Sequence, residues 1–243
     1  MSVPTAPEGA VLRAAQDAPH VSIDALAQPG RLLIVAPHPD DETLGCGMAL
    51  AAALAGGRQV AILLLTDGEG SHPNSRKFTA ERRIAIRSAE LNSALETLAS
   101  GQTIPVVKAR LPDGKTTDRD AARAVNRLYE HCCIADANTI WSTWAHDPHC
   151  DHRTAAILSC MLAERSHATL WSFAVWGRFG KRPVPDKLSL FSDSRFTGAK
   201  REAMGAYASQ MGGVIDDDPT GFTMPPALFE HFASHPEIFF HER

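Results

Sequence analysis

The sequence contains few cysteines, no long apolar run and no excess of positive charge. Its five cysteines include no C-x-x-C pair, and their odd number argues against a disulfide framework. The longest apolar runs, at 48–55 and 60–65, are far too short to cross a bilayer. The formal net charge of -4 provides no global field that would attract nucleic acid or anionic lipid. These absences predict a cytoplasmic protein with no transmembrane segment and no nucleic-acid partner.

Residues 1–30 also lack a charged start followed by a long apolar stretch, so we expect no secretory signal. The 243 residues are 44% hydrophobic and 21% charged, which are the proportions of an ordinary globular protein. This length suits one α/β domain better than two small ones. We predict a single domain over residues 1–243, with residues 1–30 as an extended or partly helical lead-in.

Strand-like and helix-like segments alternate from residue 31 onward. The runs 31–36 (RLLIVA) and 60–65 (VAILLL) are continuously apolar, which is typical of strands buried on both faces. Further strands are predicted at 104–108, 139–142 and 169–176, and helices at 41–55, 79–99, 119–133, 153–165 and 200–210. The pattern predicts an α/β fold, a Rossmann-like, mostly parallel sheet with helices on both faces. The tail from residue 212 is predicted to be loop and a short helix over the sheet edge.

The segment 37–42 (PHPDDE) directly follows the first predicted strand. In a parallel sheet, ligands bind beyond the carboxyl ends of the strands. Zinc accepts histidine nitrogen and carboxylate oxygen, and this proline-stiffened turn can aim His38 and Asp41 at one point while Asp40 points elsewhere. The alternative interpretation is that Asp40 and Asp41 only stabilise a helix amino terminus through the helix dipole. That interpretation explains one acid but not the whole segment.

A second polar segment, 146–152 (HDPHCDH), follows the predicted strand at 139–142 and therefore belongs at the same sheet edge. A single histidine here would be interpreted as a structural residue, but three histidines and two aspartates within one segment favour a metal site. A catalytic zinc needs three protein ligands and an open position. The residues alone leave either His149 or His152 as the third ligand.

Two other kinds of site, a dinucleotide-binding turn and a metallo-β-lactamase metal site, match the sequence only in part. Gly45-x-Gly47 follows a strand, as in a dinucleotide-binding turn, but the third glycine of that motif would fall at Leu50. We interpret the glycine pair as small residues that let a helix pack closely on the sheet. The metallo-β-lactamase pattern His-x-His-x-Asp-His requires a histidine where this chain has Asp147. Neither alternative explains the first segment.

The two segments, in this order, resemble the motifs of the LmbE-like, or PIG-L, family of zinc-dependent N-deacetylases. The resemblance runs from about residue 31 to the carboxyl terminus. Supporting matches are 66–69 (TDGE), Arg87-x-x-Glu90, 112–114 (PDG) and Lys200-x-x-x-Met204-x-x-Tyr207-x-x-Gln210. The resemblance implies the LmbE-like deacetylase fold and a metal-dependent hydrolase acting on linear amides.

The resemblance also implies roles for individual residues. One zinc ion per chain, or another divalent metal, would be held by His38, Asp41 and His152. Asp40 would be the general base that acts on the hydrolytic water, as a nearby carboxylate can. His149 would stabilise the oxyanion or protonate the leaving amine, and the sequence does not decide between the two.

Three further roles follow from the same resemblance. Asp151 would orient a histidine from behind, and Arg87 and Asp113 would hold hydroxyl groups of the substrate ring. The expected function is removal of an N-acetyl or N-acyl group from an amino-sugar substrate. Amide hydrolysis needs an activated water, a polarised carbonyl and a proton for the amine, and these residue types supply all three.

Other functions and the substrate stay open at this point. The alternatives are a non-catalytic sugar-binding protein on the same fold and a deacylase of a non-sugar amide. The substrate could be a free conjugate, a nucleotide- or lipid-linked sugar or a glycan, and a homo-oligomer is left open. Aromatic residues at 144, 171, 173, 176 and 179 are interpreted as core, with a sugar-stacking platform as the alternative. Arg178, Lys181 and Arg182 form a small basic cluster in a region that should shape the substrate mouth. We interpret it as a solvated loop, with contact to a phosphate or an acidic glycan as the alternative.

Overall fold

The computed structural model describes residues 4–181 and 183–242 and places seven strands in one sheet. The strands are β1 Arg31–Ala36, β2 Gln59–Thr66, β3 Val106–Leu111, β4 Thr139–Thr143, β5 Thr169–Phe173, β6 Leu188–Phe191 and β7 Glu237–Glu242. The helices are α1 Ala10–Ala15, α2 Ile23–Leu26, α3 Asp41–Ala55, α4 Ala80–Ala99, α5 Asp118–Tyr129, α6 Cys132–Ala135, α7 Cys150–Ser166, α8 Ser194–Gly205 and α9 Pro226–Ser234. Across this described part of the chain, every helix is too short or too polar to cross a membrane.

The strand order is β3-β2-β1-β4-β5-β7-β6, and β1 to β5 run parallel. The prediction of a mostly parallel α/β sheet is confirmed. The order of the strands reverses between β1 and β4, which pair directly, with Val35 beside Ser142. A reversal of this kind opens a crevice at the carboxyl ends of the two strands, where α/β proteins bind ligands.

Both faces of the sheet are covered, as the continuous apolar runs predict. In β1, Leu32 and Ile34 pack into the layer that contains α3, α4, α8 and α9, whereas Leu33 and Val35 pack against α5, α6 and α7. Successive side chains of a strand point to opposite faces. A strand buried on both sides therefore has no polar position to alternate with its apolar ones.

Several predicted elements have different bounds in the structure. The helix predicted at 119–133 is interrupted at His131, whose backbone is extended, and so forms α5 and α6. The strand predicted at 169–176 stops at Phe173, because the Asp147 carboxylate takes the backbone N–H groups of Val175 and Gly177 at 3.3 and 2.9 Å. The helix predicted at 200–210 is α8, which ends at Gly205, followed by a separate 3-10 turn at Ala208–Gln210.

The tail contains more structure than predicted. Helix α9 agrees with the short helix expected there, but β7 follows it and hydrogen-bonds to both β5 and β6. The loop predicted for this part of the tail is therefore wrong at Glu237–Glu242, which form a strand. In the lead-in, whose residues 1–3 lie outside the described residues, the partly helical prediction corresponds to α1 and α2. The single domain over 1–243 stays a prediction.

Candidate active site and metal centre

The turn between β1 and α3 carries the first polar motif. Asp41 is the first residue of α3, and its Oδ2 accepts the backbone N–H of His38 at 3.0 Å. The same oxygen lies 3.0 Å from His38 Nδ1. One carboxylate thus fixes both the turn and the orientation of the imidazole.

The second motif begins α7, directly after the neighbouring strand β4. His149 is the N-cap residue, and its Nδ1 accepts the backbone N–H of Asp151 at 3.3 Å. His152 is buried in the first turn of α7, with Nε2 3.2 Å from Asp41 Oδ2. The ring centroids of His38 and His149 are 4.7 Å apart. The structure therefore brings the two motifs together, as their places after adjacent parallel strands predict.

Asp147 lies within the second motif, but the sequence alone predicts no role for it. Its carboxylate is buried, and Oδ1 lies 3.3 Å from His152 Nδ1 while Oδ2 accepts the N–H groups beyond β5. Asp147 is thus positioned to fix the orientation of the His152 ring through Nδ1, the nitrogen that faces away from Asp41. The available signal was its place in a dense His/Asp segment, but spacing does not tell which histidine a carboxylate faces.

The converging side chains fit a divalent metal ion. Asp41 Oδ2 is 3.0 Å from His38 Nδ1 and 3.2 Å from His152 Nε2. Tetrahedral zinc with bonds of about 2.0–2.2 Å places its ligand atoms roughly 3.3–3.6 Å apart, so a small outward shift of these side chains would admit the ion. Both ring nitrogens of His152 are buried without a well-formed hydrogen bond. His38, His149 and His152 also offer ligand atoms within 4.8 Å of one another. The structure thus shows a His/Asp cluster able to bind a metal, and the choice of three ligands stays a prediction.

The electrostatics of the cluster favour a cation. Burial alone would lower the pKa of His38, but hydrogen bonds to Asp113, Asp151 and Asp41 outweigh burial and raise it. Burial is likewise outweighed at His152, where the carboxylates of Asp41 and Asp147 raise the pKa to about 10. A field that stabilises positive imidazoles also stabilises a metal ion at the same place.

Asp40 has an unusual backbone, with φ 145° and ψ -30°. The backbone of a residue other than glycine is strained in this region. Such strain persists only where the surrounding structure imposes it. Here the Glu42 carboxylate accepts the backbone N–H of Asp40 at 3.2 Å, and Arg87 donates to Asp40 Oδ2 at 2.9 Å. Burial raises the pKa of Asp40 to about 7, against the opposing charge of Arg87 and with the help of Asp41.

Arg87, predicted to hold a substrate hydroxyl, is engaged within the protein. Besides Asp40, its guanidinium donates to the carbonyl oxygens of Pro39 at 2.7 Å and Gly68 at 3.1 Å. The side chain is buried but still reaches the wall of the central pocket. Its clearest role in the structure is to hold Asp40, and a substrate contact stays a prediction.

Glu42 lies behind Asp40 and takes part in a buried network that the sequence analysis did not find. Its Oε1 accepts hydrogen bonds from the hydroxyls of Tyr207 and Thr43, and burial raises its pKa. Tyr207 belongs to the Lys200–Gln210 motif quoted above, but nothing in that spacing indicates contact with a residue so far away in sequence. The network connects the end of α8 to the strained turn.

Asp151 and Asp113 both face His38. Asp151 Oδ2 lies 2.9 Å from His38 Nε2, and its carboxylate also accepts hydrogen bonds from Thr116 and the Gly114 N–H. Asp113 Oδ1 lies 3.1 Å from the same nitrogen, and its other oxygen accepts the Gly70 N–H at 2.6 Å. The prediction that Asp151 supports a histidine thus has a named candidate, His38. The predicted substrate contact of Asp113 remains untested.

A pocket of about 330 Å³ opens above the cluster. It is lined by His38, Asp40 and His149 on the cluster side, and Trp176 and Phe222 contribute aromatic surface with ring centroids 5.6 Å apart. Most of the aromatic residues singled out from the sequence are core, but Trp176 reaches this wall.

The interpretation of the basic cluster as a solvated loop is wrong for Arg178. Arg178 is buried, donates to the Ala174 carbonyl at 2.6 and 3.0 Å, and lies over the Phe232 ring. Arg182 lies outside the described residues. A phosphate contact by Arg178 at the mouth is therefore excluded by its burial.

The profile of the PIG-L family, described as GlcNAc-PI de-N-acetylase, matches residues 33–160, more than half of the chain. The chain belongs to this family. The PIG-L match includes both polar motifs and ends within α7. The 1D-myo-inositol 2-acetamido-2-deoxy-alpha-D-glucopyranoside deacetylase of Tsukamurella paurometabola is 34% identical over 107 residues, which are 42% of this chain and 36% of that protein. The chain thus matches only about a third of that relative's length.

Solved structures with the PIG-L fold cover most of the chain. A triple mutant of a deacetylase from the teicoplanin biosynthetic pathway has a TM-score of 0.64 at 17% identity, covering 87% of this chain and 97% of that one. The 4-carboxy-2-hydroxymuconate hydratase GalB of Pseudomonas putida has a TM-score of 0.60 at 18% identity, covering 84% and 83%. At these identities the likeness shows the fold, and the two names show that the fold alone does not determine the reaction.

Proposed function

We propose that this protein is a zinc-dependent N-deacetylase that removes the acetyl group of an N-acetylated amino sugar. The observation that carries the proposal is the convergence of Asp41 Oδ2 on His38 and His152, beside a buried carboxylate, at the base of a pocket. The deacetylases named among the relatives support the same reaction class.

The metal fits His38, Asp41 and His152. When bound there, zinc supplies Lewis acidity to the acetamide carbonyl and lowers the pKa of a water molecule. Asp40 is the base for that water. Its Oδ2 is occupied by Arg87, and among the described residues no hydrogen bond involves Oδ1, which leaves Oδ1 to accept the proton. The same carboxyl group then returns this proton to the amine nitrogen as the C–N bond breaks.

His149 stabilises the oxyanion through Nε2. Because its Nδ1 accepts the backbone N–H of Asp151, the neutral ring carries its proton on Nε2. Burial and the charges of His38 and His152 lower the pKa of His149 to about 4, which favours this neutral form. A hydrogen bond to developing negative charge contributes typically a few kcal/mol to transition-state stabilisation, about 10²–10³-fold in rate.

The sugar ring is proposed to lie between Asp113 and the aromatic surface of Trp176 and Phe222. Asp113 can accept hydroxyl hydrogens, and aromatic faces pack on the apolar face of a sugar. Arg87 is the arginine of this wall, and it is already bonded to Asp40 and to two carbonyls. A neutral glycoside is therefore favoured over a sugar phosphate near the acetamide group.

The test combines metal analysis with a substrate screen. Zinc-reconstituted protein should contain about one zinc per chain by elemental analysis, and it should release amine from N-acetylglucosamine glycosides. Saturable glycoside binding without amine release would favour the non-catalytic sugar-binding alternative. Amine release from simple acetamides only would favour the non-sugar alternative. Protein that holds no metal after reconstitution would overturn the proposal.

A further inference from the structure

Helix α3 is broken at Cys46, whose φ of -146° and ψ of 25° are not helical. The break separates a short first segment, which carries Asp41 and Glu42, from the rest of the helix. A residue that leaves the helical conformation frees carbonyl groups before it and N–H groups after it. α3 is buried along nearly its whole length, so these groups need partners within the protein.

A buried ion pair supplies those partners. Lys200 Nζ donates to the Leu44 carbonyl at 3.0 Å, before the break. The two oxygens of Glu237 accept the backbone N–H groups of Met48 and Ala49, at 2.7 and 2.9 Å, after the break. Lys200 and Glu237 also bond to each other at 2.7 Å, and both side chains are 0% exposed. The pair therefore completes the helix on both sides of its interruption.

The charges match the two helix ends that the break creates. Lys200 lies at the carboxyl end of the first segment and Glu237 at the amino end of the second, where the helix dipole favours a cation and an anion respectively. Removing two charges from water is costly, so a buried pair is a poor source of stability alone. Such a pair can instead specify geometry, here the direction of the first segment.

The glycines on either side of Cys46 leave room for the side chains that pack against the break. A Cβ at Gly45 would lie 2.2 Å from the Phe173 ring, and a Cβ at Gly47 would lie 3.3 Å from Cγ of Lys200. The sequence predicts close packing of the helix on the sheet at this glycine pair. Gly45 agrees with that interpretation, whereas Gly47 makes room for the lysine stem.

We infer that Lys200 and Glu237 are positioning residues for the metal centre: they hold the first segment of α3 at the angle that brings Asp41 to His38 and His152. The inference rests on the proposed function. Neither residue lines the pocket, and Lys200 comes from α8 and Glu237 from β7. Their effect is on where Asp41 lies, and so on how tightly a metal is held.

The experiment measures zinc affinity rather than activity. Lys200→Met and Glu237→Gln, made in the full chain, are titrated with zinc against a chromophoric chelator, and thermal unfolding is recorded in parallel. We expect the zinc Kd to rise about 10–100-fold, the range seen when residues behind metal ligands are lost. Glu237→Gln is the milder change, because its amide oxygen still accepts one backbone N–H, so it remains informative if Lys200→Met does not fold.

Two controls separate positioning from general stability. Leu128→Ala removes a buried side chain of α5 on the other face of the sheet and should lower Tm without changing the zinc Kd. The exchange Lys200→Glu with Glu237→Lys keeps the opposite charges but loses the bonds to Leu44, Met48 and Ala49, so it should not restore affinity.

Three results would overturn the inference. These are a wild-type Kd in both single variants, a loss of affinity in Leu128→Ala in proportion to its loss of Tm, or restored affinity in the exchanged pair. A wild-type protein that binds no zinc would instead overturn the proposed function, and the inference with it.

Discussion

Helices α3 and α7 each begin at the site, yet they are held there in different ways. α7 is regular, its N-cap is His149 itself, and the nearby Asp147 supports His152. α3 is interrupted at Cys46. Its N-cap, its first segment and its break are held by side chains from other parts of the chain: Arg87, Lys200, Tyr207 and Glu237. One half of the site is therefore built mainly by local sequence, and the other by residues far away along the chain.

The largest effect is expected from substitutions at the start of α7, where His149 and His152 lie. His152→Ala should lose zinc and essentially all activity, because two ligands do not hold a catalytic zinc well. His149→Ala should keep zinc while kcat and kcat/KM fall together, as expected when a transition-state interaction is lost. Elemental analysis and steady-state kinetics on both variants check this. Zinc lost from His149→Ala but kept by His152→Ala would reverse the two assignments.

The next largest effect is expected at the turn before α3. Asp40→Asn preserves size but removes the proton acceptor, so kcat should fall by about 10²–10⁴ while zinc content stays at the wild-type level. Glu42 and Asp67 are the nearby carboxylates that could replace Asp40 as the base. Glu42 is bonded to Tyr207 and Asp67 to Lys108, so neither is free to replace Asp40. Full activity in Asp40→Asn would show that another group is the base.

A smaller effect is expected from the side chain that holds Asp40. Arg87→Met removes the bond to Asp40 Oδ2 and two bonds to carbonyls, so Asp40 loses its restraint. We expect kcat to fall about 10–100-fold, as misplacement of a catalytic group does, with KM nearly unchanged. A raised KM with wild-type kcat would instead support the substrate contact that the family resemblance implies.

The smallest effect is expected on stability. We compare an alanine substitution in the tightly packed break of α3 with one at an open position of helix α8. Gly45→Ala places a Cβ 2.2 Å from the Phe173 ring, and overpacking of this kind costs about 1–3 kcal/mol of unfolding free energy. Gly198→Ala in α8 meets no atom within 4 Å and should stabilise by about 0.5–1 kcal/mol. Urea denaturation of both variants measures the difference. Equal effects would mean that the break does not constrain Gly45.

The central sheet was predictable because its signals are local. The runs at 31–36 and 60–65 match β1 and β2 closely, since strands buried on both faces must be apolar throughout. Strand β7 was missed because His235, Pro236 and His241 surround a short apolar core, a pattern typical of a loop. Its pairing with β5 and β6 depends on partners distant in sequence, which no periodicity reveals.

The same limit applies to the site. The convergence of 37–42 with 146–152 follows from parallel-sheet topology, because both segments lie at strand carboxyl ends. The strained conformation of Asp40 and the break at Cys46 are set by tertiary contacts, so the sequence predicted α3 as one ordinary helix. Asp113 was expected at the substrate, and spacing gave no sign that it also faces His38.

Glu237 bonds to backbone groups 188 and 189 positions earlier in the chain. Contacts of such range close late in folding, because a long loop must be ordered before they form. Segment 33–160 contains every proposed zinc ligand, but during synthesis it emerges before Lys200 and Glu237. At that stage the side chains that bond to the backbone on both sides of the break at Cys46 are absent. High-affinity metal binding should therefore appear only when β7 joins the sheet, which makes the docking of the last strand the step that completes the site.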